Sequence, residues 1–333
     1  MDFLGLLKKS WPRAIPFFPE SISRRRGRRD IVVLMYHEVL KDAEEIEAWT
    51  VVRESAFHEQ MEYLSGNFQI VSLDKALQGI NFPREKGEGL AVVTFDDGYS
   101  GNCRVMLPII ESMKIPVTVF VATGAVEAQA RYWYDRLILA LQPGGAEAVT
   151  LDLREFGLKK YSFSPKDRGE TRWTRIQRLL TDLKTLSPAS RETAVASVLG
   201  QSNPRPQGAQ SALTPLSLEA LKALAASPWV TLGAHSHCHN ILVQLEKDEI
   251  SKSIQTSKSL LEDWTGRPVT HFAYPNGDYN AKVMECVRNA GFVSAMATHP
   301  RAWNRSDSLY AIPRVGVGRY DSLDSFKATL ARA

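Results

Sequence analysis

The sequence has few cysteines, no long apolar run and little net charge. Each of these absences argues against one class of protein. Its three cysteines, Cys103, Cys238 and Cys286, share no Cys-x-x-Cys spacing, which is more typical of a reducing compartment than of a disulfide-bonded secreted domain. No apolar run reaches the length of about 18 residues that predicts a membrane-spanning helix. A net charge of +4, without basic residues interleaved with aromatics, gives no indication of nucleic-acid binding.

What the sequence does contain is enough apolar residues for a large core. With 333 residues and 44% hydrophobic content, we expect one large domain, or one domain that carries an insertion. Strand-like apolar runs alternate with helical patterns through residues 30–124 and again through residues 216–333. This alternation predicts an α/β fold built on a parallel sheet or barrel. Residues 125–215 have a mostly helical pattern and are interpreted as a helical insertion near the substrate entrance; a simple structural cap is the alternative.

The first 29 residues differ from the rest. Apolar and aromatic side chains precede a basic cluster at residues 24–29, a combination that can lie on an anionic membrane surface. A packed arm with a solvated basic turn is the alternative, and both stay open. The charges follow a very short apolar stretch, which is not the order of a signal peptide. We therefore expect a cytoplasmic protein, peripheral on the inner membrane face if residues 1–29 bind lipid.

Two adjacent carboxylates follow the apolar run of residues 89–93. Residues 94–98 read Thr-Phe-Asp-Asp-Gly, so a buried strand is predicted to deliver Asp96 and Asp97 into a turn. Because successive strand side chains point to opposite faces, the two carboxylates can do different work, one holding a cation and the other acting as a base. A turn that merely ends a strand is the alternative.

A histidine cluster follows another strand-like run much later in the chain. Residues 235–239 read His-Ser-His-Cys-His, and His235 and His239 would share one face if a helical turn begins there. Two imidazoles and one carboxylate form the open three-ligand set typical of catalytic zinc. Cys238 could be a soft ligand, but a small buried side chain is the favoured interpretation.

These stretches resemble motifs of a known family. Residues 94–98 and 235–239 are similar to the first two motifs of the polysaccharide deacetylases (carbohydrate esterase family 4, the NodB homology domain), and residues 272–277, Phe-Ala-Tyr-Pro-Asn-Gly, resemble the third. Residues 34–37, Leu-Met-Tyr-His, resemble the start of the branch that acts on bacterial surface polysaccharide and exopolysaccharide. The resemblance implies an irregular (β/α)7-type barrel, in which strand ends on the carboxyl side carry the active site.

The resemblance also implies a metal site and a base. Asp97, His235 and His239 would hold a divalent metal, with zinc the best fit to this nitrogen and oxygen donor set. Asp96 would act as the general base.

The third motif would contribute the rest of the pocket. A backbone N–H near Asn276 would stabilise the tetrahedral oxyanion, and Tyr274 and Pro275 would contact the substrate.

The sequence departs from the family pattern at two places. The third motif usually carries an arginine that steadies the base, and Ala273 stands there instead. Arg314, at the end of a late strand-like run, is the candidate replacement; a surface arginine is the alternative. The late Leu-x-His motif that supplies the general acid is not visible, so the acid is unassigned among His37, His237 and His271.

The function implied by the resemblance is removal of N-acetyl groups from an amino-sugar polysaccharide or a lipid-linked glycan, with a glycan as the only expected partner besides a membrane surface. Two alternatives belong to other classes: a catalytically degenerate glycan-binding module, and an amidohydrolase that acts on a small non-glycan amide. Retention of both Asp96 and Asp97 argues against the binding module, because a metal-binding relic has little need for Asp96.

Overall fold

The computed structural model describes residues 30–78, 89–142, 148–202, 212–304 and 306–333. The basic arm of residues 1–29 lies outside these ranges, so its membrane contact and the cytoplasmic location stay predictions. Among the described helices, none is both long and apolar enough to cross a bilayer.

Strands and helices alternate along most of the described chain. The strands are β1 (Ile31–Tyr36), β2 (Glu38–Leu40), β3 (Val51–Arg53), β4 (Phe68–Ile70), β5 (Gly89–Phe95), β6 (Val117–Val121), β7 (Val149–Asp152), β8 (Lys160–Phe163), β9 (Val230–Ala234), β10 (His271–Ala273), β11 (Ser294–Met296) and β12 (Val315–Gly316). The α-helices are α1 (Glu54–Asn67), α2 (Leu73–Gln78), α3 (Leu107–Met113), α4 (Thr123–Ala128), α5 (Trp133–Ala140), α6 (Gly169–Leu183), α7 (Pro188–Ser202), α8 (Leu218–Ala226), α9 (Lys247–Thr265), α10 (Ala281–Asn289) and α11 (Leu323–Arg332).

One curled parallel sheet forms the body of the protein. Its strand order is β11-β10-β9-β6-β5-β1-β12, and β4 pairs with the first half of β5. Apolar runs such as Ile31–Tyr36 and Val117–Val121 are buried along their whole length, as expected for a parallel sheet with both faces covered. The predicted irregular (β/α)7-type fold is therefore confirmed, as a curled parallel half-barrel with seven strands in succession, β4 added beside β5, and helices around it.

The parallel register brings the Asp-Asp and histidine motifs to one edge of the sheet. Phe95, the last residue of β5, pairs with Tyr36 of β1 and Val119 of β6, and β6 in turn pairs with β9 up to Ala234. The residues that follow these strands therefore emerge together on the carboxyl side of the sheet. In parallel barrels, this is the side where catalytic groups gather.

The last strands bring a late segment beside the first one. Ile312 exchanges backbone hydrogen bonds with β11, through Ala295 and Ala297, at 3.0 and 2.8 Å. Three residues later Val315 pairs with Leu34 of β1. Arg314 therefore lies between the two ends of the curled sheet, next to the carboxyl edge.

The predicted insertion is not purely helical, and its apolar side chains form one cluster with barrel residues such as Leu40, Val51 and Tyr99. It includes a hairpin in which β7 and β8 pair antiparallel, with Thr150 opposite Ser162. The sequence interpretation missed this hairpin because each strand has only four residues, too few to be distinguished from the helical pattern around it. The hairpin packs with α5, α6 and α7 around apolar side chains that include Leu137, Leu151, Phe163, Ile176, Leu179, Leu183, Val195 and Val198.

The chain returns from the insertion directly beside the Asp-Asp turn. The backbone N–H of Ser100 donates to Thr214, and that of Leu216 donates to Gly98, at 2.8 and 2.9 Å. The insertion is thus attached where β5 ends, and its helices stand next to the carboxyl edge.

Candidate active site

The two aspartates leave the end of β5 in different directions. The backbone N–H of Asp96 continues the sheet by donating to the Tyr36 carbonyl at 2.9 Å, whereas Asp97 has a left-handed backbone with φ 73°. A non-glycine residue rarely adopts this conformation, and such strain often marks a functional site. The reversal turns the Asp97 side chain away from that of Asp96, so the two carboxylates have different neighbours.

Asp97 meets the two histidines in one cluster. Its Oδ1 lies 3.3 Å from Nε2 of His235 and 3.0 Å from Nε2 of His239, and the two Nε2 atoms are 3.2 Å apart. Among the described residues, these three form the one group of His, Cys, Asp or Glu side chains with the geometry to hold a metal ion. The sequence analysis named the same three residues as metal ligands.

The histidines converge through an irregular loop and not through a helical turn. Ser236 and His239 have positive φ values of 64° and 52°, and the Ser236 hydroxyl accepts a hydrogen bond from the His239 backbone N–H at 3.1 Å. The condition of a helical turn at these residues is therefore not met, although the four-residue spacing still brings both rings together. Cys238 is exposed and outside the cluster, so the expectation of a buried thiol is also wrong.

His235 and Asp97 are each oriented by hydrogen bonds from outside the cluster. Nδ1 of His235 donates to the Ala273 carbonyl at 2.8 Å, which leaves the lone pair of Nε2 directed at the cluster. The hydroxyl of Tyr134 donates to Oδ2 of Asp97 at 3.0 Å, and that of Tyr132 donates to the Asp97 carbonyl at 2.6 Å. Neither tyrosine is among the residues predicted for the site, although the aromatic run of residues 132–134 was a visible signal.

The cluster fits a divalent transition ion. With metal–ligand bonds of about 2.0–2.1 Å, two ligands of a tetrahedral zinc lie about 3.3 Å apart, close to the distances found here. Burial alone raises the pKa of Asp97, but His239 and His235 hold it well below its usual value, so the carboxylate is ionised at neutral pH. Two imidazole nitrogens and a carboxylate oxygen are the donor set that zinc and its neighbours accept.

Asp96 pairs with Arg314, which the sequence analysis had proposed as its partner. The guanidinium binds both carboxylate oxygens, at 2.7 and 2.6 Å, and also donates to Thr94 Oγ1 and the Ala297 carbonyl. Arg314 is only 1% exposed, so the alternative of a surface arginine is wrong. Burial raises the pKa of Asp96, but the charges of Arg314 and His235, together with the Arg314 hydrogen bonds, outweigh it, so the net shift is downward.

The third motif forms a tight turn after β10, and its three candidate residues differ. Asn276 has a left-handed backbone with φ 60° and is partly exposed, and its role in stabilising an oxyanion stays a prediction. Tyr274 is fully buried, with its hydroxyl donating to the Tyr310 carbonyl at 3.0 Å, and Pro275 is buried as well. The prediction that these two side chains contact the substrate is therefore not met, because neither reaches the surface.

The three candidate acids are also separated by the structure. His271 is buried at the start of β10 and bonded to Asp74 and Ser294, at the strand end opposite the site. His237 is tied through Nδ1 to Thr123 at 3.0 Å.

The third histidine is next to the aspartates. His37 directly follows β1, packs edge-on against Trp49 at 5.8 Å, and has no hydrogen-bond partner for its buried Nδ1 in the part of the chain that the structure describes. Its pKa is lowered by burial, while Asp97 and Asp96 act in the opposite direction. The charge of His37 is therefore coupled to both aspartates.

The fold and the cluster together define an α/β half-barrel with a three-residue metal-type centre at its carboxyl edge. The polysaccharide deacetylase family model matches residues 84–160 and 193–295, which is more than half of the chain. The chain belongs to the polysaccharide deacetylase family.

Individual relatives are distant. YxkH of Bacillus subtilis (strain 168), which carries a polysaccharide deacetylase name, is 26% identical over 113 residues; that region is 34% of this chain and 40% of the relative. The deacetylase PplD of Streptococcus pyogenes, solved in complex with acetate, shares the fold with a TM-score of 0.58 and 15% identity over 90% of this chain and 97% of that one. IcaB from Ammonifex degensii superimposes with a TM-score of 0.57 and 18% identity over 92% of this chain and 98% of that one.

Proposed function

We propose that this protein is a metal-dependent deacetylase that removes N-acetyl groups from an amino sugar in a polysaccharide or a lipid-linked glycan. The observation that carries the proposal is the separation of the two aspartates: Asp97 lies with two histidines, and Asp96 lies beside them, bound to Arg314. A metal-only site would not need a second, separately held carboxylate. Membership of the family supports a glycan as the substrate class.

Asp97, His235 and His239 would hold the ion, with zinc the best fit to the donors. When bound, such an ion supplies a Lewis acid for the acetamide carbonyl and lowers the pKa of water. The Tyr134 hydroxyl and the Ala273 carbonyl keep the ligand atoms aligned.

Asp96 would take the proton of the attacking water. Its carboxylate stays ionised because Arg314 lowers its pKa, and the two-pronged contact fixes its orientation. Arg314 itself makes no proton transfer and acts by holding the base.

The departing nitrogen needs a proton, and the proton that Asp96 takes from the water would supply it. His37, whose pKa burial lowers, would stay neutral beside the aspartates. A backbone N–H at Asn276 would stabilise the negative charge that develops on the acetamide oxygen. Water adds to the carbonyl carbon, the C–N bond breaks, acetate leaves and the sugar keeps a free amine.

Acetate release tests this proposal. We expect the purified full chain with bound zinc to release acetate from at least one member of a panel of N-acetylated glycans, and to lose that activity on chelation. Asp96→Asn protein, carrying the same metal, should lose about 10²-fold or more in rate, as enzymes do without a general base. Acetate release from small amides alone would overturn the glycan assignment, and unchanged activity in Asp96→Asn would overturn the mechanism.

A further inference from the structure

The insertion reaches the site at the end of α6. Lys184 caps this helix, its carbonyl accepts from the Gln244 side chain at 2.7 Å, and its Nζ donates to Oδ1 of Asn276 at 2.5 Å. Lys184 lies within residues 161–192, the stretch between the two matched parts of the family model. This contact therefore joins a part of the chain outside the family match to the turn of the third motif.

Asn276 is held from both sides by opposite charges. Its Oδ1 faces the ammonium of Lys184, and its Nδ2 donates to Oδ2 of Asp278 at 2.5 Å. Hydrogen bonds to ionised groups are shorter and stronger than those between neutral groups. The two contacts therefore stabilise the left-handed backbone at Asn276. This conformation costs more free energy for asparagine than it would for glycine.

The charge of Lys184 also affects the pKa of a residue in the metal cluster. Burial lowers its pKa to about 8, with Asp278 and Asp97 acting upward and Arg191 acting downward. The pKa of His239 is lowered first by burial, and Lys184 is among the cations that add to this. Lys184 is therefore protonated at neutral pH and electrostatically coupled to the ligand set.

On the neighbouring helix, a second cation also donates a hydrogen bond to an asparagine side chain. Arg191 of α7 is 2% exposed, stacks over Trp133 at 5.1 Å and donates through Nη2 to Oδ1 of Asn240 at 3.0 Å. Asn240 directly follows His239. The insertion thus contacts an asparagine beside each of two catalytic loops, and in both contacts the donor is a desolvated cation.

We propose that the insertion is part of the active site and that Lys184 is a positioning residue, which holds Asn276 in the conformation that presents its backbone N–H to the reacting acetamide. This inference rests on the proposed function, because it assigns the Asn276 turn to that reaction. A lysine that merely docked the insertion would affect folding but would leave the chemical step unchanged.

Three variants of the metal-loaded full chain separate these roles. Lys184→Met removes the donor, Lys184→Arg keeps a charged donor, and Lys222→Met makes the same change at an exposed lysine on α8. We expect Lys184→Met to lower kcat about 10-fold or more, with KM and zinc content near those of the wild type. Lys184→Arg should recover part of the loss, and Lys222→Met should match the wild type.

The pH profile supplies a readout that docking alone would not move. The groups that face Lys184 are Asp278, Asp97, Arg191 and His239. Because burial lowers the pKa of Lys184 and a lysine loses its charge as pH rises through its pKa, wild-type kcat should fall on the alkaline side of its pH profile. In Lys184→Arg this fall should move to higher pH, since a guanidinium stays charged.

Two results would overturn the inference: wild-type kcat and pH profile in Lys184→Met, or a loss of kcat that only follows a loss of folded, zinc-bound protein. A double-mutant cycle measured by denaturation tests the contact without any measurement of activity, so it separates this inference from the proposed function. Lys184→Met and Asn276→Ala should shift the denaturation midpoint non-additively, and additive shifts would contradict the contact. If the wild type released no acetate from any glycan while this coupling was present, the function would fail and the positioning contact would stand.

Discussion

The half-barrel and the insertion contribute to the site in different ways. The barrel supplies groups at strand ends, where hydrogen-bonded ladders fix the backbone of Asp96 and of His235. The insertion supplies no ligand candidate; it supplies hydroxyl and cationic donors that reach across, such as Tyr134 and Lys184. The comparison suggests that barrel residues determine whether the chemistry occurs, and that insertion residues determine how well the reacting groups are oriented.

Removal of a barrel ligand should have the largest effect. His235→Ala and His239→Ala should each lose metal, because even partners of metal ligands cost about 10–100-fold in affinity when removed. The check is metal content by elemental analysis of protein purified without added ions. Wild-type stoichiometry in both variants would contradict the ligand assignment.

Loss of Arg314 should be the next largest effect. Arg314→Ala leaves Asp96 buried without its partner, which costs about 3–5 kcal/mol in the free energy of unfolding for a typical buried pair. Because Arg314 lowers the pKa of Asp96, its removal should raise that pKa, and the acidic limb of the pH–rate profile should move up by about one unit or more.

The control for this prediction is Arg314→Lys, which should recover only part of the activity because lysine lacks the planar fork. Metal content should stay unchanged in both variants. If the acidic limb of Arg314→Ala stayed at the wild-type pH, the proposal that Arg314 lowers the pKa of the base Asp96 would be contradicted.

An insertion residue should have a smaller effect. Tyr134→Phe removes the hydroxyl that orients Oδ2 of Asp97, and we expect a loss of about 10-fold in metal affinity with the fold intact. Tyr161→Phe is the matched control, because it removes an insertion hydroxyl that bonds to Asp182 instead. Equal metal affinity in the two variants would contradict the orienting role of the insertion.

The half-barrel is predicted from the sequence in more detail than the insertion, for a physical reason. Buried parallel strands such as Val117–Val121 carry continuous apolar runs, so the barrel and the strand ends that bear Asp96 and His235 could be predicted. Arg314 could be predicted as well, because it follows a late strand-like run and neighbouring parallel strands end at the same edge.

The remaining contacts depend on tertiary packing. Lys184 and Asn276 are 92 residues apart, and no local pattern reports that the end of α6 lies over the turn after β10. Local sequence also fails to predict the short strands of the hairpin and the positive φ of Ser236 and His239. At these positions tertiary contacts outweigh local conformational preference. The burial of Tyr274 follows from its hydrogen bond to Tyr310, which the motif does not reveal.

The central claim is that two adjacent aspartates at one strand end do separate work, and a paired measurement on Asp96→Asn and Asp97→Asn tests it most directly. Zinc content and acetate release would be measured for both variants, with and without excess zinc. We predict that Asp96→Asn keeps its zinc and loses about 10²-fold or more in turnover that added zinc does not restore. Asp97→Asn should lose zinc first and regain part of its activity in excess zinc. Rescue of Asp96→Asn by zinc, with full zinc retention in Asp97→Asn, would reverse the roles and contradict the account.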